Sequence, residues 1–354
     1  MKPAILFLFI LIAIVLIEAC NKPATLSPIT AIEQMDSVYN TIAPPAQQFI
    51  ISSTKASKIE GAEGTIIHLD PKNLETIDGS PLGQTIQVEL LEITNKSSLL
   101  LQNASTTAGN QILVSGGAYY LNMTSEGKQL RIIEGKEVEV EFPKLTNNEM
   151  ELFIGQRDSL GQLDWKATSQ KFKSKTLKKP IAPSSQQTIE VDGQNEIEQI
   201  LGYIGDGYDT LSKERIEAYQ RKKKAYEKAL ETYEAIQLTN FGWINCDRFL
   251  EDPNPKTDIQ LAIKNDSLSF ARVHAIFEDI NSIMTEYYFS ANKEVSRFRN
   301  IPINRKITIL AISMKNNQTF IADTTIITKE DQIVAFSFQA TTTAALQKRI
   351  KEMN

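Results

Sequence analysis

Short runs in which hydrophobic and polar residues alternate dominate the chain from about residue 47 onward. In the run 86–90, Ile, Val and Leu alternate with Gln and Glu, and in the run 137–142 glutamates alternate with Val, Val and Phe. A period of two residues is typical of a strand with one buried and one solvated face. Turn signals such as Asp78-Gly79 and Gly116-Gly117 separate the runs. Many short strands divided by turns predict a mainly β protein built from sandwiches or barrels.

A helical pattern interrupts the strands in the second half of the chain. Ile216, Tyr219, Tyr226, Leu230 and Tyr233 recur at spacings of 3, 4 and 7 residues, which is the period of an amphipathic helix. Such a tyrosine stripe most often packs on its own domain and only sometimes forms a partner surface. Strand-like runs then resume, and the segment 341–353 predicts a short terminal helix capped by a threonine.

These patterns divide the chain into consecutive segments. A signal peptide, a flexible tether rich in Pro, Thr, Ala and Ser, and a first β-sandwich domain precede a linker, the amphipathic helix and a second β-rich domain with the terminal helix. Their predicted bounds are 1–19, 20–46, 47–168, 169–207, 208–238 and 239–354. The predicted fold is therefore mainly β, with two β-sandwich-like domains joined by a linker and one long amphipathic helix.

Composition narrows the class of protein. The chain has 354 residues, of which 42% are hydrophobic and 23% charged, and this is ample for two cores. The net charge of −5 gives no electrostatic reason to bind nucleic acid, which normally requires a basic face. The cysteines are Cys20 and Cys246, so no disulfide framework is available if Cys20 is modified.

The N-terminal residues carry the strongest signal in the chain. Lys2 precedes an unbroken apolar run, Ala4–Ile17, which is too short to span a bilayer but has the length of a secretory signal. The next residues, Ile17-Glu18-Ala19-Cys20, resemble the lipobox of bacterial lipoproteins. The resemblance implies cleavage after Ala19 and lipidation of Cys20, which would anchor the mature chain to a membrane.

The residues after the cysteine indicate which membrane. Asn21 does not resemble the Asp that retains lipoproteins in the inner membrane, and no acidic cluster follows Cys20 as in surface-exported Bacteroidota-type lipoproteins. We therefore expect the outer membrane, with the protein facing the periplasm.

A set of short motifs carries a second resemblance. The motifs are Gln48-Phe49, Gly61-Ala62-Glu63-Gly64-Thr65, Val88 to Ile93, Ser115-Gly116-Gly117, Met150 to Gly155 and Asp164-Trp165. The run from Gln47 to Trp165 is similar to a ZU5-type β-sandwich of exported Bacteroidota-type proteins, and Phe241 to Phe249 resembles the start of their second half. The resemblance implies a fold and an envelope setting, and it assigns no catalytic residue.

Residues suited to chemistry are few. With only His68 and His274, the chain lacks a histidine-rich metal site. Cys246 and His274 are a conceivable thiolate–imidazolium pair, but the aromatic and aliphatic neighbours of Cys246 favour a buried, inert thiol. Asp206 and Asp209 supply too few carboxylates for a calcium loop. We predict no catalytic residue, metal ligand or cofactor, while paired Asp/Glu residues stay an open alternative.

One short pattern is more frequent than composition predicts. Asp followed by Ser or Thr, and then by an aliphatic residue or Thr, resembles the O-glycosylation motif of exported Bacteroidota-type proteins. The same dipeptides also favour turns and helix caps, so both interpretations stay open. The possible modification sites are Ser37, Ser159, Thr210, Ser267 and Thr324.

Three functions fit these observations. The leading hypothesis is a non-catalytic, lipid-anchored envelope protein that presents its β-domains to a protein or glycan partner. The first alternative is an envelope-polymer (glycan) hydrolase that uses paired Asp/Glu residues. The second is a nutrient-binding lipoprotein of an outer-membrane uptake system, which an exposed aromatic surface including Trp243 or Tyr287-Tyr288 would support. Sandwiches host all three functions, so the choice depends on the site.

Overall fold

A computed structural model describes residues 28–159, 161–180, 210–263, 268, 270–289 and 296–354. These residues form a mainly β protein with several antiparallel sheets and few helices, one of them a short helix at the C-terminus. The predicted fold class and the terminal helix are both confirmed.

The elements of the described residues are as follows. The helices are α1 (Pro28–Ile42), α2 (Lys96–Leu101), α3 (Thr210–Ala229) and α4 (Thr343–Lys351), with a 3₁₀ turn at Pro71–Asn73. The strands of the first half are β1 (Gln47–Ser52), β2 (Ser57–Glu60), β3 (Ile66–Leu69), β4 (Leu74–Thr76), β5 (Thr85–Ile93), β6 (Thr107–Ala108), β7 (Gln111–Ser125), β8 (Lys128–Ile132), β9 (Val138–Glu141), β10 (Met150–Arg157) and β11 (Leu163–Phe172). The strands of the second half are β12 (Ile236–Leu238), β13 (Gly242–Phe249), β14 (Lys256–Ile263), β15 (Phe270–Phe277), β16 (Ile283–Phe289), β17 (Arg297–Pro302), β18 (Lys306–Lys315), β19 (Gln318–Ile327), β20 (Gln332–Phe336) and β21 (Gln339–Thr341).

The largest sheet, called the main sheet, has the strand order β1–β5–β7–β13–β10–β11, with β4, β6 and β8 attached at its side. One of its faces packs against a four-stranded sheet of order β12–β9–β3–β2. The core between the two sheets includes Val88, Tyr119 and Met150 from the main sheet, and Ile67 and Val140 from the four-stranded sheet. Together the two sheets form a first sandwich.

A second pair of sheets forms from the rest of the chain. A five-stranded sheet of order β16–β15–β18–β19–β21 shares a core with a three-stranded sheet of order β17–β14–β20. This core includes Val273, Phe277 and Ile309 from the former, and Ile259 and Val334 from the latter. Strands β14 and β20 run parallel.

Helices fill a third core between the two pairs of sheets. Met35 of α1, Leu100 of α2 and Ile350 of α4 pack there with Phe153 of the main sheet and Leu310 of the five-stranded sheet. Both sides of β15 are therefore covered, and all of its residues are buried.

The predicted flexible tether, 20–46, is wrong for residues 28–42, because these residues form α1. The helix buries Ala31, Ile32, Met35, Tyr39 and Ile42. Their spacing of three and four residues is the helical period, and the Pro- and Thr-rich composition of the segment concealed it.

The predicted domain bounds at 168 and 239 divide elements that belong to the main sheet. Strand β11 (Leu163–Phe172) runs across the first bound, so the predicted linker 169–207 begins inside a strand. Strand β13 (Gly242–Phe249), which was assigned to the second domain, pairs with β7 and β10 in the middle of the main sheet. The sequence separation of these partners hides the pairing, because alternation predicts a strand but not its neighbour.

The predicted helix 208–238 is also too long. It ends at Ala229, and Ile236–Leu238 form β12, which pairs with β9. Tyr233 is buried in the first sandwich, but no described side chain of α3 itself is fully buried. The stripe was expected to pack on its own domain along its whole length. Only Tyr233, which lies beyond the end of the helix, is buried in this way.

Gly116 and Gly117, which predict a turn, lie inside β7 instead. A Cβ at Gly116 would come within 2.8 Å of the Cys246 carbonyl oxygen, and Gly117 has a φ of 122°. Both positions therefore require glycine for a close strand contact and a left-handed backbone, next to a register shift between β13 and β7.

Candidate functional site

The side of the main sheet opposite the first core is covered in part by the third core, against which Trp243 packs, and is open beyond it. On the side opposite the first core, the strand register places Trp243 beside Tyr120, Asn122 beside Glu89, and Thr124 beside Gln87. We call this surface, formed by Gln87, Glu89, Tyr120, Asn122, Thr124 and Trp243, the open face. Successive pairs are two residues apart along their strands, which separates them by about 7 Å.

The aromatic end of the open face is rigid. The rings of Tyr120 and Trp243 are 4.9 Å apart between centroids and inclined by 43°. The guanidinium of Arg157 lies over the Trp243 ring, 4.4 Å from its centroid. Arg157 donates hydrogen bonds to the carbonyl oxygens of Gln102, at 2.8 Å, and Gly161, at 2.5 Å. The arginine therefore fixes the indole by a cation–π contact, while its own donors are used by the backbone.

The polar end consists of neutral groups and one carboxylate. The Asn122 amide donates to Glu89 at 3.4 Å, and the Thr124 hydroxyl donates to Gln87 at 3.3 Å. Gln129 donates to the Asn122 side-chain oxygen at 2.5 Å. These bonds hold the side chains in rows across the strands, as cross-strand pairs do.

The polar atoms of the two aromatic residues are free for a ligand. No described residue accepts a hydrogen bond from the Trp243 indole N–H or pairs with the Tyr120 hydroxyl, and neither atom is sealed from solvent. Both residues are half-buried, and burial raises the pKa of Tyr120. Aromatic residues with an apolar body and an unsatisfied polar tip are frequent in binding sites.

A second polar surface lies on the outer side of the four-stranded sheet. The register places Lys58, His68, Glu139 and Gln237 in one row across its four strands, and they line an open groove. Lys58 and Glu139 carry opposite charges, and no described Phe, Tyr or Trp lies among the groove residues, so a ligand would meet mainly solvated side chains.

Glu141 beside this groove is fully engaged. It contacts His68 at 3.1 Å, accepts from the Thr232 hydroxyl at 2.9 Å and pairs with Lys175. Burial by itself would raise the pKa of Glu141, but these contacts from Lys175, His68 and Thr232 hold it below its usual value. The side chain is thus an ionised structural partner and unsuited to donate a proton.

A buried polar cluster lies between α1 and the five-stranded sheet. The guanidinium of Arg272 is fully buried, pairs with Asp36, and lies 4.8 Å from the Tyr39 ring centroid and 5.3 Å from that of Tyr287. Burial would lower the pKa of Arg272, yet Tyr39, Tyr287 and Asp36 together keep it raised. The cluster therefore fixes α1 against β15 and leaves Arg272 charged.

The conceivable Cys246–His274 pair does not form. The Nε2 atom of His274 lies 2.9 Å from the Tyr39 hydroxyl and its Nδ1 atom 3.0 Å from the Thr285 hydroxyl, so both ring nitrogens are occupied. Burial, followed by the nearby Arg272, lowers the pKa of His274 to about 3. Cys246 is buried in the first core, and burial raises its pKa well above the usual thiol value. An inert thiol, as expected from its neighbours, fits this position.

Asp247 is the most perturbed carboxyl of the described residues. Its side chain is fully buried, and its Oδ2 atom accepts a hydrogen bond from the Asn245 amide at 2.6 Å. Burial raises the pKa of Asp247 to about 7. A raised pKa is typical of a general acid, but no exposed surface gives a polymer access to this carboxyl. It therefore does not supply the acid of a glycan hydrolase.

The described residues contain neither a membrane-spanning helix nor a cluster of metal-ligating side chains. None of their helices has both the length and the apolar character needed to cross a membrane. In the same part of the chain, no three His, Cys, Asp or Glu side chains converge in the way that a metal site requires.

The residues considered for modification, cleavage or calcium binding fall in different places. Cys20, Ala19, Asp206, Asp209 and Ser267 lie outside the described residues, as does the side chain of Thr210. Ser37 on α1 and Ser159 in the β10–β11 loop are exposed, while Thr324 on β19 is half-buried. Their modification stays a prediction.

Sequence reasoning identified only part of the open face. Alternation placed Gln87 and Glu89 on one side of a strand, and Trp243 was named as a candidate aromatic residue. Tyr120 and Asn122 were missed, although they alternate with the buried Tyr119, Leu121 and Met123 in the same way. The two sets come together only through the pairing of β5, β7 and β13.

The class that the fold defines is a mainly β protein with several antiparallel sheets. Comparisons with protein-family models, with curated proteins and with solved structures found no match to this chain.

Proposed function

We propose that this chain is a bacterial cell-envelope lipoprotein with a non-catalytic binding or scaffold role. The lipobox-like Ile17–Cys20 supports cleavage after Ala19 and lipidation of Cys20, and the ZU5-like motifs support an envelope setting. The anchored protein sits on the outer membrane and faces the periplasm. There it presents its β-sheets to a protein or glycan partner.

The observation that carries the binding role is the open face. It combines a fixed aromatic pair, Tyr120 and Trp243, with unsatisfied polar atoms and ordered polar rows on a rigid sheet. Binding residues held on a rigid scaffold lose little conformational entropy when a ligand arrives. The same observation favours the nutrient-binding alternative, in which the partner is an imported glycan.

The start of α1 limits the distance between the folded body and the proposed anchor. Pro28 follows Cys20 by eight positions, and eight extended residues span at most about 28 Å. The predicted tether of 27 residues would have allowed a much longer reach. An anchored protein would therefore meet partners in a layer close to the bilayer surface.

The anchor itself is tested by metabolic labelling with a palmitate analogue. We expect label on the wild-type chain and none on a Cys20→Ala variant, because that thiol is the acceptor. An unlabelled wild-type chain, or equal labelling of both, would contradict the lipoprotein assignment.

The binding role is tested by affinity capture of the tagged full-length protein from gently solubilised envelopes. We expect a stoichiometric protein or glycan that is captured by the anchored wild type and reduced in the Cys20→Ala control. If the purified wild type carries neither protein nor glycan, the binding role is wrong.

A further inference from the structure

We propose that the open face is a binding site for a neutral polysaccharide chain. The inference rests on the proposed function in that it names the partner class of the envelope protein. The open face offers the ligand an aromatic end and a polar end on one continuous sheet surface, and each end favours the same kind of ligand.

The aromatic end is suited to the apolar faces of sugar rings. Tyr120 and Trp243 present half-buried rings whose positions are fixed by their mutual contact and by Arg157. Aromatic rings contribute contact area at low entropic cost because they have few rotatable bonds. The free Trp243 N–H and Tyr120 hydroxyl add a donor and a donor–acceptor at the edge of the same patch.

The polar end is suited to hydroxyl groups. The side chains of Gln87, Asn122 and Thr124 carry amide and hydroxyl groups, which both donate and accept hydrogen bonds. Their existing cross-strand bonds, 3.3 Å and 3.4 Å long, orient these groups while leaving further donor and acceptor capacity. A sugar hydroxyl needs both a donor and an acceptor, whereas a charged ligand needs an opposite charge.

The charge of the open face excludes an acidic polysaccharide as the preferred ligand. Glu89 is an acid within the surface, and the adjacent cation Arg157 directs its donors to the Gln102 and Gly161 carbonyl oxygens. A polyanion would therefore meet a carboxylate without a free counter-charge.

The shape of the open face fits an extended chain. Its three pairs of residues follow one another along β7 at intervals of about 7 Å. A small ligand buries most of its area in a concave pocket, which the open face does not provide. An extended polymer can instead contact the aromatic end and the polar end at once.

Affinity electrophoresis of the purified soluble protein, with the signal and Cys20 removed, tests this site. The gels contain neutral polysaccharides (dextran, laminarin, mannan, xyloglucan) or the polyanions alginate and heparin. We expect retardation by at least one neutral polymer and none by the polyanions. Tyr120→Ala and Gln87→Ala should weaken the binding at least tenfold and about threefold, respectively, while Gln237→Ala, on the four-stranded sheet, serves as the matched control.

Tryptophan fluorescence gives a second measurement on the same samples. The chain has two tryptophans, and Trp165 is buried, so quenching by acrylamide reports mainly on Trp243. The neutral polymer should reduce this quenching in the wild type and in Gln237→Ala. The exposed Gln87 keeps the test informative if Tyr120→Ala fails to fold.

Three outcomes would overturn the inference. They are retardation by polyanions alone, no retardation by any neutral polymer, and binding that is equal in the wild type, Tyr120→Ala and Gln87→Ala. If one of these outcomes is found and a protein partner is captured equally by the wild type and by Gln87→Ala, the polysaccharide site is wrong while the proposed binding role stands. Failure of both experiments would remove the binding role as well.

Discussion

Two arginines stacked on aromatic rings have opposite surroundings in this protein. Arg272 is sealed between Tyr39 and Tyr287 and pairs with Asp36. Arg157 covers one side of Trp243 at the edge of the open face. Both contacts are cation–π contacts. The difference is that the rings beside Arg272 are covered by α1 and the five-stranded sheet, whereas Trp243 lies at the edge of the open face.

The comparison separates polar groups that maintain the fold from polar groups that are free to bind. In the buried cluster, the Tyr39 hydroxyl is occupied by His274. On the open face, no described residue occupies the hydroxyl of Tyr120 or the N–H of Trp243. Substitutions in the covered region should therefore change stability, and those on the open face should change binding.

The largest expected effect comes from Asp247 in the covered region. Its pKa is about 7 in the fold, against a usual value of 3.8, so the folded state holds a proton that the unfolded state releases between about pH 4 and 7. The free energy of unfolding should fall as the pH rises through this window, by up to about 4 kcal/mol. Asp247→Asn should not show this loss. Its free energy of unfolding, measured by urea denaturation, should therefore exceed that of the wild type at pH 8.

His274 provides the opposite control for that titration. Its pKa of about 3 lies below the usual 6.5, so the unfolded state binds a proton first, and stability falls as the pH drops below 6.5. Asp247→Asn should therefore lose stability on acidification, because the histidine contribution remains. A pH profile identical in the variant and the wild type would contradict the raised pKa of Asp247. A variant whose stability does not fall below pH 6.5 would contradict the lowered pKa of His274.

Met35→Ala should test whether α1 belongs to the fold. The side chain is fully buried in the third core, and its truncation should cost about 3 kcal/mol, measured as a shift of the urea midpoint. The control Glu33→Ala removes an exposed side chain of the same helix. If the two variants are equally stable, α1 does not contribute to the folded core and residues 28–42 act as a tether.

A pair of truncations makes the comparison of the arginines direct. Arg272→Ala removes a fully buried side chain with an ion pair and two ring contacts, and should destabilise the protein by about 3 kcal/mol. Arg157→Ala removes hydrogen bonds to backbone carbonyl oxygens and one ring contact, and should cost about 2 kcal/mol. If thermal denaturation shows that Arg157→Ala destabilises the protein more than Arg272→Ala does, our interpretation of the two regions is wrong.

The smallest stability effect is expected on the open face. Gln87 is exposed, so Gln87→Ala should change the free energy of unfolding by no more than about 0.5 kcal/mol. Its effect on polysaccharide affinity should nevertheless be measurable. A large stability loss without any change in affinity would place Gln87 with the structural residues.

Much of the fold can be predicted from local pattern, and the errors have a common cause. Alternation identified β5 and β9 and the side on which Gln87 lies, because a strand exposes every second residue. The same reasoning extended α3 through Tyr233, since a strand and a helix can share short stretches of apolar spacing. It also missed α1, where composition outweighed a helical period in Ala31, Met35 and Tyr39.

The sequence by itself determined the strand-rich class, the terminal helix and the orientation of individual side chains along each strand, because these depend on the residue period. Tertiary structure decided which strands meet. Only the placement of β13 between β7 and β10 brings Trp243 to Tyr120. Only the packing of α1 over β15 buries Arg272 and pairs it with Asp36, which gives this side chain a structural role. Pairing and cover join residues far apart in the chain, and no local pattern contains that information.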